Sequence, residues 1–206
     1  MKSQIHLIRH GITVGNRDKL FYGASDIDLA EEGIQALKEQ AADGLYPYDE
    51  NGDFYTSGMK RTEQTLELIY GNRDHEAIDE FREVNCGIYE MKSFKELKGN
   101  EDFEAWLADN TGQTVPEGGE SIVQFNERVQ EGFRKLMAQH QLKELSVRHA
   151  GGPATSTVVC HGGVICSILQ ENSGEPLDNF FKWMPDPGHG YTLDIEDGKI
   201  VKYEKF

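Results

Sequence analysis

Arginine, histidine and glycine stand in succession at Arg9-His10-Gly11, and few tripeptides are better suited to phosphoryl chemistry. A guanidinium clamps anionic oxygens in a bidentate fork, and an imidazole ring can act as a nucleophile. The glycine lets the backbone turn tightly or approach a ligand closely. A second histidine opens His161-Gly162-Gly163, where two residues without side chains at a helix start would expose amides to an anion. A second arginine, Arg61, falls about one turn into a helix that follows a short strand. Taken singly, each has a plain structural use: a turn, a helix cap, a solvated surface cation. Their common placement argues otherwise.

That placement follows from the elements around them. Ile5–Ile8 reads as a strand ending at Arg9, Phe54-Tyr55-Thr56 as a second strand ending at Ser57, and Thr155–Cys160 as an apolar strand ending at His161. A helix is expected from Asp28, where Asp28 and Glu31 have capping-box spacing, with Ala30, Ile34, Leu37, Ala41 and Leu45 on one face. Ser57 is expected to cap a helix carrying Met59, Thr62, Leu66 and Ile69. A long amphipathic helix carries Ile122, Phe125, Val129, Phe133 and Leu136, and another runs from His161 through Leu169. Tyr191–Ile195 and Lys199–Tyr203 form a hairpin around Asp197-Gly198. Alternating strands and helices predict an α/β, three-layer sandwich with a largely parallel central sheet. In such a sheet the three strand ends share one edge, where open α/β folds bind ligands. Residues 82–121, glycine-punctuated with short helical pieces near 94–97 and 103–107, read as a lid-like insertion in a single domain spanning 1–206.

The chain has 206 residues, enough for one domain with a substantial core. Its 21 Lys and Arg face 36 Asp and Glu, giving a formal net charge of −15. Nucleic acids and anionic membranes are therefore disfavoured partners, and an anion pocket must be built locally against the field of the whole molecule. No apolar run approaches a membrane span, and Met1-Lys2-Ser3-Gln4 leads into a strand without a signal-peptide pattern. Cys86, Cys160 and Cys166 lack metal or redox spacing. Reduced thiols in a cytoplasmic protein are expected.

Other residues divide into supports and distractions. Asn16 and Thr13 support the turn after His10. Glu83 opens the insertion, and spacing alone does not separate it from Glu90, Glu117 or Glu120 as an acid. Arg148-His149 imitates the first motif but precedes its strand, which puts it at the opposite edge. His6 and His10 are four apart on a strand, where they do not stack as they would on a helix, and no acidic or histidine set completes a metal site. No cofactor is expected.

The segment Arg9-His10-Gly11-Ile12-Thr13-Val14-Gly15-Asn16 resembles the signature of the histidine phosphatase superfamily, in its phosphoglycerate-mutase-like branch. The likeness extends along essentially the whole chain: Gly23 with Asp28-Leu29 and Gly33, the Thr56–Thr65 segment, Pro116–Ser121, and Cys160-His161-Gly162-Gly163. It implies that His10 is a nucleophile phosphorylated in turnover. It also implies that Arg9, Arg61 and His161 hold the phosphoryl group, with Asn16 and the Gly162 amide in support, and that Glu83 is the proton donor. The implied substrates are small phosphomonoesters, among them nucleotide-loop precursors such as α-ribazole phosphate, sugar phosphates and phospho-acids. Two stretches depart from the pattern. Tyr89-Glu90-Met91 replaces the frequent Trp-Glu-Gly, and Pro185–Tyr191, with His189 assigned to a turn, replaces a small polar approach to the last strand. Family mutases carry an Arg-His-Tyr-Gly segment and substrate-binding arginines, whereas Val84-Asn85-Cys86-Gly87 lacks the first and no arginine occurs between Gly87 and Pro116. Hydrolysis is favoured over a mutase or a non-catalytic phosphate-binding module.

Overall fold

The computed structural model describes residues 3–147, 152–172, 174 and 180–206; Arg148 and His149 lie outside them. In chain order the elements are β1 (Ser3–Arg9), α1 (Val14–Arg17), β2 (Leu20–Phe21), α2 (Glu31–Ala42), β3 (Asp53–Thr56), α3 (Lys60–Tyr70) and β4 (Glu76–Ala77). There follow β5 (Lys92–Ser93), α4 (Phe94–Leu97), α5 (Glu101–Ala108), α6 (Ile122–Val147), β6 (Ala154–Cys160), α7 (Gly162–Asn172), β7 (Gly190–Glu196) and β8 (Lys199–Lys205).

Six strands form one sheet in the order β4-β3-β6-β1-β7-β8. The first four run parallel, and β7 and β8 add antiparallel at the β1 side. Side chains alternate along β1, so its two faces serve two cores. Ile5 and Leu7 join Phe125, Val129, Phe133 and Leu136 of α6 and Ile165, Ile168 and Leu169 of α7. Ile8 and Val159 meet Phe54 and Leu66 of α3 on the other face. All seven residues of β6 are buried, as expected of a central parallel strand covered on both sides. The result is the expected three-layer α/β sandwich.

Register decides where the chemistry lies. Arg9 pairs with Cys160 and Thr56 with Val159, so His10, Ser57 and His161 leave the sheet at nearly one level. The 82–121 segment sits beside this edge. Its β5 pairs with β2, and Cys86, Tyr89, Leu97 and Phe103 pack with Phe21 and Trp106 into a separate small core.

Two helix starts differ from expectation. α2 begins at Glu31 after Ala30, with no side-chain cap. Asp28 instead accepts a hydrogen bond from Gln64 Nε2 (3.0 Å), while the Ala30 amide donates to the Ile12 carbonyl (2.9 Å). Tertiary partners outcompete the local box. α3 begins at Lys60 rather than beside Ser57, whose hydroxyl turns towards His161. The terminal hairpin is as read: Asp197 and Gly198 both have positive φ, the backbone that a tight turn between twisted strands requires.

Candidate active site

His10 is fixed before any ligand is considered. Its amide donates to the Cys160 carbonyl (3.0 Å), and Nδ1 lies 2.7 Å from the Gly11 carbonyl oxygen. A carbonyl only accepts, so Nδ1 carries the proton and Nε2 keeps a lone pair. Gly11 is a packing requirement as well as a turn, because a Cβ there would strike Leu37.

Among the described residues Arg61 is the largest wholly buried side chain. Its Nη1 donates to Ser25 O (2.9 Å), Nη2 to Gly23 O (2.7 Å) and Nε to His161 Nδ1 (3.3 Å), with the guanidinium 5.3 Å from the Tyr22 ring centroid. Burial lowers its pKa from the usual value, opposed by Tyr22, Glu83, Asp26 and Glu90. It stays charged. Since Arg61 always donates, His161 must accept at Nδ1 and carry its proton on Nε2, which faces Ser57 Oγ at 2.8 Å. The rings of His161 and His10 stand 5.2 Å apart, inclined by 64°. Ser57 was missed as a site residue. Its signal was the strand end itself, one residue past β3, just as the two histidines are one residue past β1 and β6.

Arg9 points its Nη1 at Pro185 O (2.7 Å), and its buried Nε has no hydrogen-bond partner. Gly162 is close by: a Cβ there would run into Met184 and come within 3.2 Å of Arg9 Nε. As the first residue of α7, Gly162 has an amide with no intrahelical acceptor. The Gly163 amide was expected to face an anion too, but it donates to Glu83 Oε2 (2.9 Å). A Cβ on Gly163 would collide with that carboxylate. Each glycine thus makes room for a different neighbour.

The four acids left open by spacing separate in space. Glu83 alone of them reaches the start of α7, its other oxygen accepting from the Val84 amide (3.0 Å). Glu120 is bound to Arg128 (2.5 Å) and the Asn85 amide, and Glu117 is exposed. Glu90 accepts from the Gly23, Ala24, Ser25 and Cys86 amides and from the Ser25 hydroxyl. Asn16 supports the turn after His10: its Oδ1 accepts from the amide and hydroxyl of Thr13, closing a capping box on α1. His189 belongs to a turn, its carbonyl accepting from the Arg9 amide (2.9 Å).

Burial, reinforced by Arg61, holds both His10 and His161 well below the usual imidazole range. Burial also lowers His140, whose ring bridges Ser3 and Ser156 beneath α6. Each group favours the folded state fully above its unfolded pKa of about 6.5. As pH falls below that value the unfolded chain binds the protons first, and stability is lost by up to about 1.4 kcal/mol per pH unit per histidine. Folding free energy from urea titrations should therefore drop between pH 6.5 and 5, and His140→Gln should flatten the slope. His75 has a raised pKa and acts above this window; burial lowers it, but the Arg73 carbonyl and Glu63 outweigh that effect. A slope that is flat in the wild type would contradict the neutral buried imidazoles.

The sheet edge thus brings together two histidines held below the usual imidazole range, two arginines and a carboxylate at a helix start, groups whose chemistry suits a phosphoryl group. A sequence profile of the histidine phosphatase superfamily (branch 1) matches residues 5–204, and the chain belongs to that superfamily, as one of its phosphatases. Among its relatives, the adenosylcobalamin/alpha-ribazole phosphatase of Escherichia coli K12 is 26% identical over 200 residues, covering 93% of this chain and 90% of that one. Fructose-2,6-bisphosphatase TIGAR B of Danio rerio is 33% identical over 150 residues, covering 67% and 54% respectively. The fold is shared with the crystal structure of a putative alpha-ribazole-5'-P phosphatase from Escherichia coli K-12, with a TM-score of 0.78, 22% identity and coverage of 100% and 95%. Among the described residues no helix is long and apolar enough to cross a membrane.

Proposed function

We propose that the chain is a metal-independent phosphomonoester hydrolase that works through a phosphohistidine on His10. The observation that carries this reading is the Nδ1–Gly11 hydrogen bond, which leaves the His10 Nε2 lone pair available beside Arg61 and His161. Nε2 attacks phosphorus in line, and the bond to the leaving oxygen breaks as Glu83 gives that oxygen its proton. Water then attacks the phosphohistidine, losing its proton to Glu83, and phosphate leaves with His10 restored. Arg9, Arg61 and the Gly162 amide hold the equatorial oxygens and stabilise the charge of the transition state. His161 is neutral in the free protein. A bound phosphate dianion offsets the arginine charges that add to burial in keeping it so; when Nδ1 takes a proton it gives up the hydrogen bond from Arg61 Nε, and protonated His161 donates to the phosphoryl group. Asn16 acts mainly through the α1 turn, leaving its NH₂ group as the part not used by the capping box.

The substrate class is a small phosphorylated metabolite acted on in the cytoplasm, consistent with three free buried thiols. Relatives named for α-ribazole phosphate and fructose 2,6-bisphosphate support small phosphoesters, and the net charge of −15 disfavours large polyanions. A panel of sugar phosphates, phospho-acids and nucleoside-type monophosphates, read by phosphate release, tests this. Activity should appear on at least one class and survive dialysis against EDTA, because side chains supply the positive charge. Activity lost to EDTA and restored by Mg²⁺ or Zn²⁺ would overturn the mechanism, and release from none of them would overturn the substrate class.

A further inference from the structure

Glu90 lies in the stretch that departs from the family pattern, and the proposed reaction gives it no role. Its carboxylate is the hub of a dense set of hydrogen bonds. Oε1 and Oε2 share the Gly23 amide (3.0 and 3.1 Å), Oε1 takes the Ala24 amide (3.1 Å), and Oε2 takes the Ser25 amide (3.0 Å) and hydroxyl (2.6 Å). The Cys86 amide (3.0 Å) ties the same carboxylate to the 82–121 segment. The opposite side of this short loop holds Arg61: the Gly23 carbonyl accepts from Nη2 and the Ser25 carbonyl from Nη1. Gly23 and Ser25 therefore each give their N–H to the anion and their C=O to the cation.

We propose that Glu90 is a positioning residue that sets the guanidinium of Arg61 through the Gly23–Ser25 backbone, and so tunes the affinity of the site for a phosphoryl group. The physical reason is twofold. Two charges of opposite sign bracket the loop, so its peptide dipoles line up between them and strengthen the hydrogen bonds at both ends. The loop is also packed directly on the 82–121 segment, where a Cβ on Gly23 would strike the Val84 carbonyl. Replacing the carboxylate with an amide puts N–H donors against N–H donors. The loop then shifts, and the two carbonyls that aim Arg61 shift with it.

The proposal rests on Arg61 as a phosphoryl ligand, and inorganic phosphate is the direct probe. Titration calorimetry with phosphate should show Glu90→Gln weakening affinity about tenfold or more in an otherwise wild-type chain, the scale set by ångström-level misplacement of a binding group. In an Arg61→Lys background, where the fork onto the two carbonyls is already gone, the same change should cost less than about twofold. Ser25→Ala removes only the hydroxyl arm and should give a smaller loss, about threefold, with the same dependence on Arg61. It carries the test if Glu90→Gln does not fold. Equal losses in both backgrounds, or a folded variant with wild-type affinity, would overturn the relay. A wild-type chain that binds no phosphate would overturn the site itself, and the relay with it, which is a different result.

Discussion

Substitution of His10 by alanine is expected to remove turnover, by a factor on the order of 10⁶ if His10 carries the covalent step, as loss of a covalent nucleophile does elsewhere. The ring is held by its Nδ1 proton on Gly11 O and by a backbone bond to Cys160, so its orientation does not depend on substrate. Rapid acid quench alone would destroy the expected label, since a phosphoramidate is acid-labile and base-stable. Alkaline quench of a single turnover with ³²P-labelled substrate should therefore trap phosphoenzyme in the wild type and none in His10→Ala. Label that persists in the variant would move the nucleophile elsewhere. His161→Ala should be milder, about 10²–10³-fold, because it removes one charge-stabilising donor from a set. It also breaks the Arg61 Nε contact, so part of that loss is Arg61.

Glu83→Gln should slow phosphoenzyme formation from alkyl phosphates by about 10²–10⁴-fold while sparing p-nitrophenyl phosphate. An alkoxide is a strong base and needs a proton as it leaves, whereas nitrophenolate is already stable. The substitution preserves the shape and keeps one oxygen for the Gly163 amide, the contact that aims the group at the start of α7. Pre-steady-state rates are the measurement to make, because the same carboxyl later activates water and steady-state turnover mixes the two steps. Equal slowing of both substrates would make Glu83 a structural residue, with Glu90 and Glu120 next in line. Glu90 is the weaker of these, given that five backbone and side-chain donors already hold its carboxylate.

The sheet edge was legible because register follows from apolar runs. Ile5–Ile8, Phe54–Thr56 and Thr155–Cys160 are continuous enough to be read as strands, and their ends bring His10 and His161 together whatever the loops do. Cap chemistry was not legible in the same way. Asp28 has the spacing of a capping box, yet Gln64, 36 residues away, takes its carboxylate. Ser57 follows the same logic, since a buried imidazole offers a better partner than a helix end. Spacing could not choose Glu83, because four acids within one irregular segment differ only in which backbone amides they meet. The amide of Gly163 makes the distinction, and it comes from a helix 80 residues further along.

The contacts that aim the candidate site also set the order in which it can come into being. Arg9 reaches Pro185 across 176 residues, Ser57 reaches His161 across 104, and Arg61 reaches the same ring across 100. Such long-range closures cost chain entropy before they repay it, and they come late in folding. A partly synthesised chain that ends with β6 has His10 but neither His161 nor the amide of Gly162. On the proposed reading such a chain lacks part of the phosphoryl pocket and is expected to be inactive. Phosphate, on the same reading, engages groups that only the completed fold brings together, and its binding adds to the stability of that fold by mass action.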